Sequence, residues 1–176
     1  LSFPINSVCP TRSFVAWIEW VRLALIFTYL AKTVDSRKML MWIVQGIMVQ
    51  IWLEGIIALA QYASGGKLGL TFLGEVRVKE MEMPGGALIR TGALMGHPNA
   101  LALWLCMIAP LPLALGLNPN EKPRMRVWYG ATYLMAQGIL IMTFSRAGWA
   151  CGVLGLFLVH HIAQKRFGKP TVISIW

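Results

Sequence analysis

Residues 89–104 read Ile89-Arg-Thr-Gly-Ala-Leu-Met-Gly-His-Pro-Asn-Ala-Leu-Ala-Leu-Trp104, and they form a junction. A polar loop carrying Arg90 turns through Gly96, His97, Pro98 and Asn99 straight into a long apolar run. Proline suits a first helical turn, so the run reads as a helix from Pro98 onward. A guanidinium and an imidazole are thereby held at the lip of a very hydrophobic segment. A second junction, Thr143-Phe144-Ser145-Arg146-Ala147-Gly148, echoes the first much later in the chain. The reading turns on whether both junctions lie on the same side of a membrane.

Composition supports a membrane. The 176 residues are 57% hydrophobic and 13% charged, with mean hydropathy +0.61, whereas soluble domains carry about 25% charged residues. The fold class expected is an all-α polytopic membrane protein, a single transmembrane domain over 1–176. About five transmembrane helices are expected, near 13–31, 39–62, 98–117, 127–144 and 147–163. One long outer loop covers 63–97, and the start of a further span is expected at 171–176. Pro110 and Pro112 should kink or shorten the third span. Val76 to Met83 partly alternates polar and apolar residues, which fits a short strand or hairpin; the loop's charges other than Arg90 read as a solvated face.

The net charge of +9 does not signal nucleic acid, because the basic residues sit in short clusters between apolar runs. Cys9, Cys106 and Cys151 have no metal-ligand or disulfide spacing, and adjacent His160 and His161 point different ways on a helix. No metal or cofactor is expected. Nine of the sixteen Lys and Arg crowd the short loops at 32–38, 118–126 and 165–170. That density marks the cytoplasmic side. Arg90, His97 and Arg146 then share the outer face, at headgroup depth. Two fixed guanidiniums there suit a phosphate or pyrophosphate, since each donates bidentate bonds and keeps its charge. The plainer reading of Arg146 alone is a helix-end side chain snorkelling to the interface.

These residues carry a resemblance. Arg90-Thr-Gly-Ala-Leu-Met-Gly-His-Pro-Asn-Ala-Leu-Ala, followed about forty residues later by Thr143-Phe-Ser-Arg-Ala-Gly-Trp, resembles the O-antigen ligase and polymerase superfamily of bacterial surface-glycan assembly. Gln61 at the end of the second span is similar to the family too, and the resemblance covers roughly residues 40–165. Met95 departs from it, standing where an aromatic residue is common. The resemblance implies a fragment of a larger helical membrane glycosyltransferase, independent of metal and acting in the bacterial inner membrane with its site facing the periplasm. It would take a glycan from an undecaprenyl-pyrophosphate carrier and pass it to an acceptor glycan or lipid A-core in lipopolysaccharide biosynthesis. By position, Arg90 and Arg146 are the expected catalytic arginines that hold the pyrophosphate, because a departing pyrophosphate builds charge that preorganised cations stabilise. His97, Asn99, Gln61 and Ser145 are expected substrate contacts, although His97 reads first as a local turn residue. Family ligases carry a further outer loop with another arginine and a histidine, expected here beyond Trp176.

Two other classes remain in view. Glu19, Arg22 and Glu54 could line the path of a transporter for a small anion such as bicarbonate. Glu19 and Arg22 also fit a neutralising pair three residues apart, and Glu54 a hydrogen-bonded packing residue. Gly148 and Gly152 in GxxxG spacing fit a non-catalytic membrane scaffold whose small residues admit another helix. The chemistry-bearing residues gather at the outer interface rather than at a midplane site, which favours the enzyme.

Overall fold

The computed structural model describes residues 10–34, 36–75, 79–83 and 86–167. Six helices dominate it: α1 (Pro10–Thr33), α2 (Arg37–Ser64), α3 (Pro98–Ile108), α4 (Pro110–Gly116), α5 (Pro123–Met142) and α6 (Arg146–Phe167). A hairpin of β1 (Lys79–Met83) and β2 (Gly86–Arg90) lies between α2 and α3, antiparallel, with Lys79 opposite Arg90. A short strand or hairpin was expected at 76–83; the hairpin forms, but its second strand, Gly86–Arg90, lies beyond that range because Gly86-Ala-Leu-Ile-Arg90 lacks alternation. Residues 76–78 and 171–176, the latter the expected start of a further span, lie outside the described residues.

Among the described residues, three stretches are long and apolar enough to cross a membrane: Arg37–Ser64, Pro98–Gly116 and Arg146–Phe167. Five were expected. At 24 and 20 residues, α1 and α5 have the length, since about 20 residues span a bilayer core. They differ in polarity: α1 carries Arg12, Glu19, Arg22 and Lys32, and α5 opens with Arg124 and Arg126. The break at Ala109 between α3 and α4 falls where Pro110 removes a backbone donor.

The chain divides into two compact units, Leu1–Gln45 and Gly46–Trp176. In the first, Ser36 caps α2 by accepting the Met39 N–H through its hydroxyl. The Glu19 side chain is outside the described set, so the expected pair with Arg22 is too. The second unit holds both junctions. Along α2 its buried positions are Met48, Ile51, Glu54, Gly55, Ala58 and Gln61, spaced by threes and fours as one helix face requires. On α5 the matching face is Tyr129, Thr132, Ala136, Ile139 and Leu140. The two meet where Trp52 stacks on Trp128, with centroids 5.6 Å apart, and donates its indole N–H to the Thr132 hydroxyl.

Large apolar side chains face outward instead: Leu103, Met107, Leu134 and Phe157 are all more than 60% exposed. Polar Gln61, Thr91, Thr132 and Thr143 are buried and hydrogen-bonded. An apolar exterior around a polar interior is the arrangement lipid favours, because unpaired polar groups cannot be left in hydrocarbon. Gly148 and Gly152 are already in use within the chain. A Cβ on Gly148 would lie 3.0 Å from Ala102 of α3 and from Leu140 of α5, and one on Gly152 would lie 2.7 Å from Leu140. The expected close approach at the GxxxG is therefore made by α3 and α5 of the same chain.

Candidate functional site at the two junctions

The site is built on polar hooks along α2. Glu54 and Gln61 lie seven residues apart, which places them on one helical face. Glu54 accepts the Leu94 N–H at 3.0 Å. Gln61 holds the neighbouring residue: its Oε1 accepts from Ala93 N (3.1 Å) and from the Thr91 hydroxyl (2.6 Å), while Nε2 donates to Glu75 (2.9 Å) and to Ala93 O (3.4 Å). Both faces of the side-chain amide are used in full. Turning the amide over would set its N–H groups against another donor and its oxygen against a carboxylate, so only one orientation fits. These bonds hold Ala93 at φ 43°, a left-handed conformation an alanine seldom adopts.

Glu75 completes the support. It is 3% exposed, which corrects its reading as part of a solvated face. Its carboxylate accepts the backbone N–H of Leu68 (2.7 Å) and Leu70 (2.6 Å) as well as Gln61 Nε2. Burial pushes its pKa up, but the donors at Leu68, Gln61, Leu70 and Gly69 outweigh burial and hold it below the ordinary carboxylate value. No spacing in the sequence announces this carboxylate; the glycines at 69 and 74 that let the loop wrap it are the only local sign. Gly74 sits at φ 104°, and a Cβ there would lie 2.9 Å from Leu94 O. Gly92 is equally confined, with His97 backbone atoms 3.0–3.2 Å from where its Cβ would be.

This scaffold presents Arg90 at the end of β2. Its Nε donates to Thr143 O at 3.0 Å, 53 residues away, and its Nη2 donates to Asn99 Oδ1 at 3.0 Å. Thr143 is the C-cap of α5, so the guanidinium satisfies a carbonyl that the helix end leaves open. The remaining guanidinium donors have no partner among the described residues, on a side chain that is only partly buried. Arg90 thereby rests on the turn that carries Arg146. That turn is strained as well: Phe144 has φ 49°, and with Ala93 it is one of the two non-glycine residues at positive φ among the described residues. One stands on each side of the Arg90–Thr143 bond, and strain of this kind costs about 1–3 kcal/mol per residue and gathers at functional sites.

Arg146 is the first residue of α6, exposed, and has no hydrogen-bond or ion-pair partner among the described residues. A cation at a helix N-terminus opposes the macrodipole, and neither α3 nor α6 has an acidic residue in its first turn. Two carboxylates of the scaffold, Glu54 and Glu75, are bound to backbone amides instead. Among the described residues, neither Arg90 nor Arg146 has an ion-pair partner.

The other expected contacts take structural posts. His97 caps α3, its Nδ1 accepting the Asn99 N–H at 3.1 Å, which agrees with the turn reading. Ser145 is 8% exposed, and its hydroxyl caps α6 by accepting Gly148 N–H at 3.3 Å. Gln61 is 1% exposed with its amide fully engaged, so it orders the loop that carries Arg90 and presents no free polar atom to a substrate. Asn99 is exposed and lies against Arg90. Comparison with protein-family models, with curated proteins and with solved structures gave no match to this chain. Among the described residues no group of three His, Cys, Asp or Glu is placed to hold a metal ion.

Proposed function

We propose that the chain is part of a membrane-embedded glycosyltransferase of the O-antigen ligase or polymerase kind. It transfers or polymerises glycans carried on undecaprenyl pyrophosphate, at the outer face of a bacterial inner membrane. The observation that carries the reading is the Arg90–Thr143 bond, which joins two motifs far apart in sequence and brings together two arginines that have no ion-pair partner among the described residues. A pyrophosphate bridging Arg90 and Arg146 would receive bidentate bonds from planar donors and relieve the unbalanced charge at the α6 N-terminus. Metal-free departure of a lipid pyrophosphate needs that stabilisation as negative charge builds. The anion-transporter reading loses weight because Glu54 is tied to Leu94 N–H, and the scaffold reading because Gly148 and Gly152 are packed within the chain.

The test is glycan output from the full-length protein in its own membrane. Arg146→Ala and Arg90→Lys are each expected to abolish attachment or polymerisation, with lipid-linked glycan accumulating and membrane levels normal. Lysine keeps the charge at position 90 but loses the planar fork that reaches Thr143 and Asn99 together. Undiminished glycan output in both variants refutes the proposal.

A further inference from the structure

The opposite end of the bundle holds a second site. From the Arg90 junction, α5 runs 20 residues, roughly 30 Å, to the loop at 118–122. There a cavity of about 370 Å³ opens between the C-terminal ends of α4 and α6. Its walls are apolar, from Leu111, Ala114 and Leu115 on one side and Val159 and Ile162 on the other. Its polar residues are Asn118, Asn120 and Arg166, all beside the turn out of the membrane. We propose that this groove binds one anionic phospholipid, with an acyl chain along the α4–α6 walls and the phosphodiester at Arg166.

Three observations carry it. First, the groove combines a hydrocarbon wall with a charged mouth, the two halves of a lipid. Basic pockets between transmembrane helices are recurrent sites for anionic headgroups. Second, the Arg166 guanidinium carbon lies 5.9 Å from the centroid of the Phe167 ring. Cation–π contact holds the guanidinium beside the ring, and its planar N–H fork is suited to a phosphate. Arg166 is exposed and has no hydrogen bond among the described residues. Third, the surroundings match the headgroup in charge. Lys122, Arg124 and Arg126 stand at the same end, against one acidic residue, Glu121. Arg126 also has a second post, donating from Nε to Gly116 O at 3.1 Å and so closing the carbonyl end of α4 beside the groove. None of these residues belongs to the arginine site at the other end, so the proposal stands or falls without it.

The experiment is native mass spectrometry of the full-length protein, released from nanodiscs of phosphatidylglycerol and phosphatidylcholine with identical acyl chains. The expected result is one retained phospholipid, with phosphatidylglycerol enriched several-fold over its share of the disc. Arg166→Gln should bring that enrichment down to the disc ratio, while Lys165→Gln, on the next residue but outside the groove, should leave it unchanged. Ala114→Phe, which fills the groove from an exposed wall position, should remove the retained lipid of either kind. Equal retention of the two lipids by the unmodified protein would overturn the proposal. So would equal effects of Arg166→Gln and Lys165→Gln, which would mean diffuse surface charge and no site.

Discussion

Gln61→Met keeps the volume and flexibility of the side chain and removes only its polarity. The losses can be read bond by bond. The hydrogen bond to ionised Glu75 contributes about 1.5–3 kcal/mol, and the neutral bonds from Thr91 and Ala93 about 1 kcal/mol each. Part is recovered, because Glu75 keeps its donors at Leu68 and Leu70, and Ala93 N–H keeps the Thr91 hydroxyl at 3.3 Å. The net expectation is about 3 kcal/mol, concentrated in the loop from Thr91 to Met95. Such a loss raises local opening roughly a hundredfold. Amide hydrogen exchange of the protein in nanodiscs should show protection at Ala93 and Leu94 falling by that factor, while α5 stays protected. Glycan output should fall only partly, since Arg90 and Arg146 remain. Unchanged protection at Ala93 would refute the reasoning, because it would mean that the network does not hold the loop. Loss of protection throughout the bundle would refute it too, because the effect would then not be local.

Three further outcomes follow from the same geometry. Gly92→Ala drives a Cβ to within 3.0–3.2 Å of the His97 backbone and should cost about 1–3 kcal/mol, measured as a lower unfolding midpoint; an unchanged midpoint would mean the contact relaxes freely. Phe144→Gly relieves the left-handed strain but loses the ring contact with Trp149, so stability should stay within about 1 kcal/mol, whereas Phe144→Val should cost about 1–3 kcal/mol. The folded loop binds the Glu75 carboxylate, whose pKa lies below its ordinary value of about 4.3. Its contribution is therefore complete above that value and is lost as the pH falls through the lower folded one. The amide NMR shifts of Leu68 and Leu70 should change in that acid range and not above it, and Glu75→Gln should abolish the transition.

The helices were legible because burial in lipid or protein demands long apolar runs. The sequence placed spans at 39–62 and 98–117, and the helices run Arg37–Ser64 and Pro98–Gly116 with the proline break inside the second. Ends were misjudged where helices outrun the apolar run: α5 starts at Pro123 and takes in Arg124 and Arg126, which read as loop, and α6 runs on through Lys165 and Arg166. Hydropathy marks where hydrocarbon begins, whereas a helix ends where its last carbonyl finds another donor. Of the candidate site, only the two arginines were singled out by a local signal in the sequence. Arg90 and Arg146 stood out as charges at apolar boundaries. The role of Gln61 did not, because its partners lie 14 and about 30 residues away and hydrogen bonding across such distances leaves no periodic trace. Glu75 was misread for the same reason: a carboxylate satisfied by its own loop's amides looks, in sequence, like any solvated acid.

The bond from Arg90 to Thr143 gives position 90 two duties. It finishes the end of α5 and, under the proposed function, offers cationic donors to an anion. Selection then acts on that position from two directions, and a change that suits a new ligand still damages the helix end. Position 146 has no such second duty among the described residues. Substitution should therefore be tolerated around the exposed start of α6 first, while the arginine at 90 stays fixed by the helix end it completes.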